Sequence, residues 1–140
     1  MKNTDSFLLE KDQIRHEPYA EILIVDDDPN IQRILKDVLE RKDIPCETAS
    51  SAEEALSFIE TTPSIKLALL DIIMPEISGI DLLKRIQAIT PSVHVIMITG
   101  ALDVGLAEEC MKLGAKDYMR KPFDMEYLET SVLSEILPST

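Results

Sequence analysis

The feature that most limits what this chain can become is an alternation. Short apolar runs recur along it, and each is followed by a stretch whose apolar residues fall at helical spacing. Ile22-Leu23-Ile24-Val25 reads as a buried strand. Pro29 then opens a helix with Asp28 as its cap, and Ile31, Ile34, Leu35, Val38 and Leu39 form its apolar stripe. Residues 44–49 make a weaker second strand. Ser51 and Glu54 have capping-box spacing ahead of Ala55, Leu56 and Ile59. Residues 66–70 form a third strand, with Pro75 and Gly79 in the loop after it. Ile80, Leu83 and Ile86 mark a helix that stops near Pro91. Residues 93–98 form a fourth strand, and a helix over about 103–113 follows, weakened at Gly105 and stopped at Gly114. Residues 115–119 form a fifth strand. Asp124 caps a last helix to about Leu137, with Leu128, Val132 and Ile136 on one face. Strand and helix in strict alternation predict an α/β fold: a parallel sheet with helices on both faces.

Composition narrows the class. At 140 residues with 45% apolar content, the chain fits one globular domain. Residues 21–137 hold the alternation, 1–20 read as an extension with a short helix over Ser6–Arg15, and 138–140 as a tail. No run approaches a membrane span and no signal-peptide core is visible, so a cytoplasmic location without membrane contact is expected. Cys46 and Cys110 lack metal spacing and read as buried thiols, and His16 and His94 have no partner in sequence that would suggest a metal or a catalytic pair. A net charge of −12 disfavours direct nucleic-acid binding by this domain and suits a cation or a basic partner surface.

Several strands end in polar residues of complementary chemistry. Leu67-Ala68-Leu69-Leu70 ends in Asp71, and an ionised carboxylate beside a core is costly unless compensated. Asp26 and Asp27 follow the first strand, Thr99 the fourth and Lys121 the fifth. In a parallel sheet the carboxyl ends share one rim, where ligands bind at the topological switch point. These residues therefore supply an acid cluster, a hydroxyl and an ammonium at one place. Clustered carboxylates raise one another's pKa unless a cation intervenes. Magnesium, or another divalent ion such as manganese, suits oxygen ligands shared between one or two carboxylates and phosphate. A carboxylate can attack phosphorus, and a cation with a lysine can neutralise the equatorial oxygens. Each residue also has a plainer reading: Asp28 as a helix cap, Lys121 as a surface lysine, Thr99 as an ordinary strand-end threonine.

Four segments in order carry a resemblance: Ile22 to Pro29, Leu70-Asp71-Ile72-Ile73-Met74-Pro75 with Gly79, Ile98-Thr99-Gly100, and Tyr118-Met119-Arg120-Lys121-Pro122-Phe123. Together they resemble the receiver domain of two-component response regulators, over about Glu21 to Leu137. The resemblance implies a flavodoxin-like (βα)5 fold with strand order 2-1-3-4-5, the order that flavodoxin itself shows. It implies that Asp71 accepts a phosphoryl group from a histidine kinase or phosphotransfer protein. Asp27 resembles the direct magnesium ligand, Asp26 its water-mediated partner, and the Ile73 backbone carbonyl a further ligand. Lys121 resembles the lysine that pairs with the acid and then with the phosphoryl group, joined to Pro122 by a cis bond. Thr99 and Tyr118 match the two switch positions, through which the face of helix four, strand five and helix five would act on a partner or an output domain. A homodimer across that face is a further expectation.

The chain departs from the family pattern at Gly100, where alanine is usual, and carries apolar Ile73 and Ala101 at the two positions that tune water attack on the phosphoryl group. With no polar group there to orient water, slow self-dephosphorylation is expected. Two other readings compete. A pseudo-receiver would bind partners without phosphorylation, yet the acceptor chemistry is complete. An aspartate-nucleophile phosphohydrolase typically needs a second acid where Ile73 stands. The chain is thus expected to be a phosphoacceptor signalling domain and not a turnover enzyme. No glycine-rich phosphate loop is present.

Overall fold

The computed structural model describes residues 19–74, 76–100 and 104–137. The helix expected over Ser6–Arg15, and Pro75, Ala101 and the tail, lie outside the described residues. Five strands alternate with five helices: β1 (Ile22–Val25), α1 (Pro29–Glu40), β2 (Cys46–Ala49), α2 (Ala52–Thr61), β3 (Leu67–Leu70), α3 (Gly79–Ile89), β4 (His94–Thr99), α4 (Val104–Lys112), β5 (Asp117–Arg120) and α5 (Met125–Ile136). All neighbouring strands pair in parallel, in the order β2-β1-β3-β4-β5. The expected flavodoxin-like sheet is therefore present.

The uninterrupted apolar runs are explained by burial on both faces of the sheet. Side chains alternate between two cores with the strand period of two. Leu23 and Val25, Ala68 and Leu70, and Val95 and Met97 face one core, shared with α2, α3 and α4. Ile22 and Ile24, Leu67 and Leu69, and Ile96 and Ile98 face the other, shared with α1 and α5. Each fully buried Leu or Ile is worth about 1.5–3 kcal/mol relative to exposure, which is why four-residue strands suffice.

The caps form largely as the sequence predicts. The side chains of Asp28, Ser51 and Asp124 accept backbone N–H bonds at the starts of α1, α2 and α5. Glu54 differs slightly, reaching back to the N–H of Ser50 at 2.7 Å, one residue beyond the usual capping-box partner. Three local expectations are corrected. Ile34 is 41% exposed, because the buried stripe of α1 runs through Leu35 and Leu39 and Ile34 lies off it. Gly79 is the first residue of α3 and not a loop residue, with Ser78 as its cap. β5 begins at Asp117 and not at residue 115. The Ala115 N–H is spent on the carbonyl of Cys110 as the chain leaves α4 through Gly114 at φ 109°, and pairing starts only when Lys116 N–H donates to Val95. The sequence gives no sign of a further contact: His94 Nδ1 lies 2.8 Å from Glu135 Oε1, tying β4 to the end of α5.

Cys46 and Cys110 are both buried and unpaired. Burial, reinforced by Glu40, pushes the Cys46 thiol up to about 12. Thiol titration of the native protein is therefore expected to find neither cysteine reactive until the chain is unfolded; a fast-reacting native thiol would contradict this.

Gly79 sits where a side chain cannot. A Cβ there would lie 2.0 Å from the Asp71 carbonyl oxygen and 2.7 Å from Ile72 Cα, both backbone atoms. At Gly100 a Cβ meets nothing within 4 Å. Gly79→Ala is expected to cost about 1–3 kcal/mol or more by forcing backbone apart. Gly100→Ala is expected to be neutral or to stabilise by about 0.4–1 kcal/mol through the unfolded chain. Urea denaturation of both variants checks the contrast.

Candidate functional site

The rim of the sheet is assembled by register. Val25 of β1 pairs with Leu70 of β3, and the Asp71 N–H donates to the Val25 carbonyl at 3.0 Å. The next residues along the two strands are Asp26 and Asp71, so parallel pairing alone brings these acids side by side. They stand at the point where connections from β1 and β3 run to opposite sides, the switch point of this strand order.

Both acids are nearly buried, Asp26 at 3% and Asp71 at 7% exposure, while Asp27 is exposed. One carboxylate oxygen from each of Asp26, Asp27 and Asp71 lies within 4.8 Å of the others. Such a group of hard oxygens suits a divalent cation of the magnesium type. Lys121, just past β5, reaches into the cluster. Its Nζ donates to Asp26 Oδ2 at 2.6 Å and to Asp71 Oδ2 at 3.0 Å. The Lys121–Pro122 peptide is cis.

The electrostatics follow from that geometry. Burial raises the Asp26 pKa, and the Asp71 charge adds to this, while the bonds from Lys121 and from the Asp28 N–H pull the other way. Burial alone would depress the Lys121 ammonium, but its bonds to Asp26 and Asp71 outweigh burial and raise its pKa. Lys121 is held as the cation of the pair.

The remaining acceptor capacity is oriented by backbone. Asp71 Oδ1 accepts the Ile73 N–H at 3.1 Å, and Asp26 Oδ1 accepts the Asp28 N–H at 2.9 Å. The Gly79 N–H donates to the Ile72 carbonyl at 2.7 Å, closing the loop after β3 onto the start of α3. Thr99, the last residue of β4, is fully buried on the same rim. Tyr118 on β5 is half-buried and packs against the core shared with α4. Ile73, two residues after Asp71, is 64% exposed, so its apolar side chain and not an acid faces solvent beside the cluster.

Sequence reasoning placed Lys121 against one acid, and the structure shows it bridging two. It missed Gln32, whose side-chain amide donates to the Asp26 carbonyl at 2.5 Å from within α1. It also missed a polar clamp in which Asp117 Oδ2 accepts from Tyr127 at 2.7 Å and from Ser131 at 2.6 Å, fastening α5 to β5. The four-residue spacing of Tyr127 and Ser131 on one helix face was the only available signal for the clamp.

The sequence matches the family described as the response regulator receiver domain over residues 22–133. A chemotaxis protein CheY from Listeria monocytogenes is 35% identical over 107 residues, covering 75% of this chain and 88% of that one. A probable transcriptional regulator, ycf27 of Cyanidium caldarium, is 39% identical over 81% of this chain but only 45% of its own length. The chain thus spans less than half of that curated relative, and 22% of the transcriptional regulator NtrC of Klebsiella pneumoniae. Among solved structures, a response regulator receiver domain protein from Clostridium thermocellum superposes with a TM-score of 0.78 at 39% identity, covering 84% of this chain and 94% of that one. A CheY from Borrelia burgdorferi, crystallised as a CheX-CheY-BeF3-Mg+2 complex, gives 0.77 at 30% identity, covering 84% and 89%.

Lys121 is the group whose removal the site should tolerate least. In Lys121→Met two buried acids face each other without their cation, and breaking a buried pair costs about 3 kcal/mol or more. Urea denaturation in EDTA is expected to show that loss, with part of it restored by added magnesium. A variant as stable as the parent would contradict the electrostatic account.

Proposed function

This chain belongs to the response regulator receiver domain family, and from that premise we propose that it is a phosphorylation-controlled signalling domain with Asp71 as the phosphoacceptor. The observation that carries the reading is the buried Asp71 carboxylate held between an ammonium and two further acids at the sheet rim. Donors of the expected class are a histidine kinase or a phosphotransfer protein. One carboxylate oxygen of Asp71 forms a bond to phosphorus while the donor's bond to phosphorus breaks, its electron pair leaving with the donor.

Asp26, Asp27 and Asp71, with the Ile73 backbone carbonyl, would hold a divalent cation; the donor set is all oxygen and favours magnesium, with manganese as a substitute. When bound, such a cation supplies charge neutralisation for the transferred group's oxygens. The presence of BeF3 and Mg+2 in the Borrelia burgdorferi CheY complex supports carrying this pair of ligands over to the present site. Lys121 already touches Asp71 and needs only a small shift to donate to a phosphoryl oxygen, which orients the group and offsets its charge.

The added group carries roughly −1.5 to −2 charge in the known side-chain cases. Its oxygens would engage the Thr99 hydroxyl, and Tyr118 would follow inward, altering the face made by α4, β5 and α5. Reversing a 1:99 population needs about 5.5 kcal/mol, which a few charge-assisted bonds of about 1.5–3 kcal/mol each can supply. That face would act on a target protein, an output domain or a second copy of the chain, with no direct nucleic-acid contact by this domain. Among the described residues no helix is long and apolar enough to cross a membrane.

The reading is tested by mass spectrometry after incubation with an acyl phosphate and magnesium. One phosphoryl group is expected on the parent and none on Asp71→Asn or in EDTA. No uptake, or equal uptake by Asp71→Asn, would overturn the reading, and continuous phosphate release would mark a hydrolase instead. With apolar Ile73 beside the acceptor, the phosphorylated form is expected to outlast minutes in magnesium; a lifetime of seconds would contradict the role given to that residue.

A further inference from the structure

One side chain in α1 reaches the acidic loop without belonging to the acid cluster. Gln32 Nε2 lies 2.5 Å from the Asp26 carbonyl, 3.0 Å from Ser50 Oγ and 3.4 Å from the Ala49 carbonyl. Two of the three neighbours are carbonyl oxygens, which can only accept, so the amide nitrogen must face them. Gln32 therefore ties the loop after β1 to the end of β2 and the start of the loop that follows it, through Ala49 and Ser50, 17 and 18 positions away in sequence.

What it holds is the peptide between the two neighbouring acids. Every polar group of Asp26 is engaged: its N–H donates to Ala49, its Oδ1 accepts from Asp28, its Oδ2 from Lys121, and its carbonyl from Gln32. The Asp26 carbonyl and the Asp27 N–H share one rigid amide plane. Fixing that carbonyl fixes the plane and the Asp27 N–Cα bond, and the Asp28 N–H bond to Asp26 Oδ1, which spans Asp27, limits rotation about it, so together they restrict the direction in which the Asp27 Cα–Cβ bond leaves the chain. Asp27 is exposed, so surrounding packing does little to aim it. The oxygen of Asp27 nonetheless lies within 4.8 Å of those of Asp26 and Asp71. A small ion such as magnesium demands near-ideal ligand placement, so a loop held in advance binds it more tightly than one that must be ordered.

We propose that Gln32 is a positioning residue for the divalent-cation site, acting through the Asp26 carbonyl to hold Asp27 in its liganding direction. The inference rests on the reading of Asp26, Asp27 and Asp71 as a cation site, and it assigns the ordering of that site to a residue of α1 that touches no ion.

The test uses manganese as the probe ion, followed by the loss of the free-ion spin-resonance signal, together with the shift of the urea midpoint on adding manganese. Gln32→Met keeps the reach and removes the donor. Gln32→Asn keeps the amide one methylene too short and stands in if the first variant folds poorly. Ser50→Ala removes the other side-chain tether and leaves the Asp26 bond in place. The expected result is a manganese Kd weakened about fivefold or more in either Gln32 variant, with a smaller manganese-induced midpoint shift, and a Kd in Ser50→Ala equal to the parent's. A merely structural role would lower the midpoint in EDTA without changing that shift. Parent-like binding in the Gln32 variants, or equal weakening in Ser50→Ala, overturns the proposal. Parent protein that binds no manganese, or binds it equally well as Asp27→Asn, overturns the cation-site reading itself.

Discussion

The contact on which the site depends is the Lys121 ammonium between two buried carboxylates, 2.6 Å from Asp26 and 3.0 Å from Asp71. Parallel pairing of β1 with β3 forces those acids together at the end of adjacent strands, where burial, with the Asp71 charge adding to it, opposes ionisation of Asp26. A mobile surface lysine could not offset that. Lys121 does so because it follows directly on β5 and its side chain is mostly withdrawn from water, 20% exposed. The ammonium answers the acids, and the acids in turn keep it charged despite its burial.

Around that contact, backbone atoms do the orienting. The Ile73 and Asp28 amides each donate to a carboxylate oxygen, leaving the acids little freedom to rotate. Gly79 lets the start of α3 close onto the loop that carries Asp71, an approach that any side chain would block. Gln32 performs the matching task on the other acidic loop from α1. The chemistry thus sits on loops, but each loop is pinned to a helix start by at least one hydrogen bond.

Both helices beside β5 pack on the sheet. α5 is tied by the Asp117 clamp to Tyr127 and Ser131, by Lys42 to Glu129 at 3.1 Å, and by His94 to Glu135. It also buries Leu128, Val132 and Ile136. On α4, Cys110 is buried and Leu106 is partly so.

Much of this was legible in the sequence, for identifiable reasons. The alternation of apolar runs with helical stripes is local, and burial on both sheet faces leaves no other use for runs such as Ile22–Val25 or Leu67–Leu70. Caps at Asp28, Ser51 and Asp124 are likewise decided within a few residues. The polar strand ends pointed to a common rim because a parallel sheet has only one carboxyl edge. Tertiary structure alone decided which atoms meet: that Lys121 bridges two acids, that Gln32 grips a carbonyl, that His94 finds Glu135 across 41 residues, and that Ile34 turns to solvent. Those outcomes depend on strand register and helix rotation to within an ångström or so, and hydrogen bonds weaken sharply beyond that tolerance. A pattern of residue types along the chain sets which stretches become strands and helices, whereas the distance between two side chains far apart in sequence exists only once the sheet has closed around them.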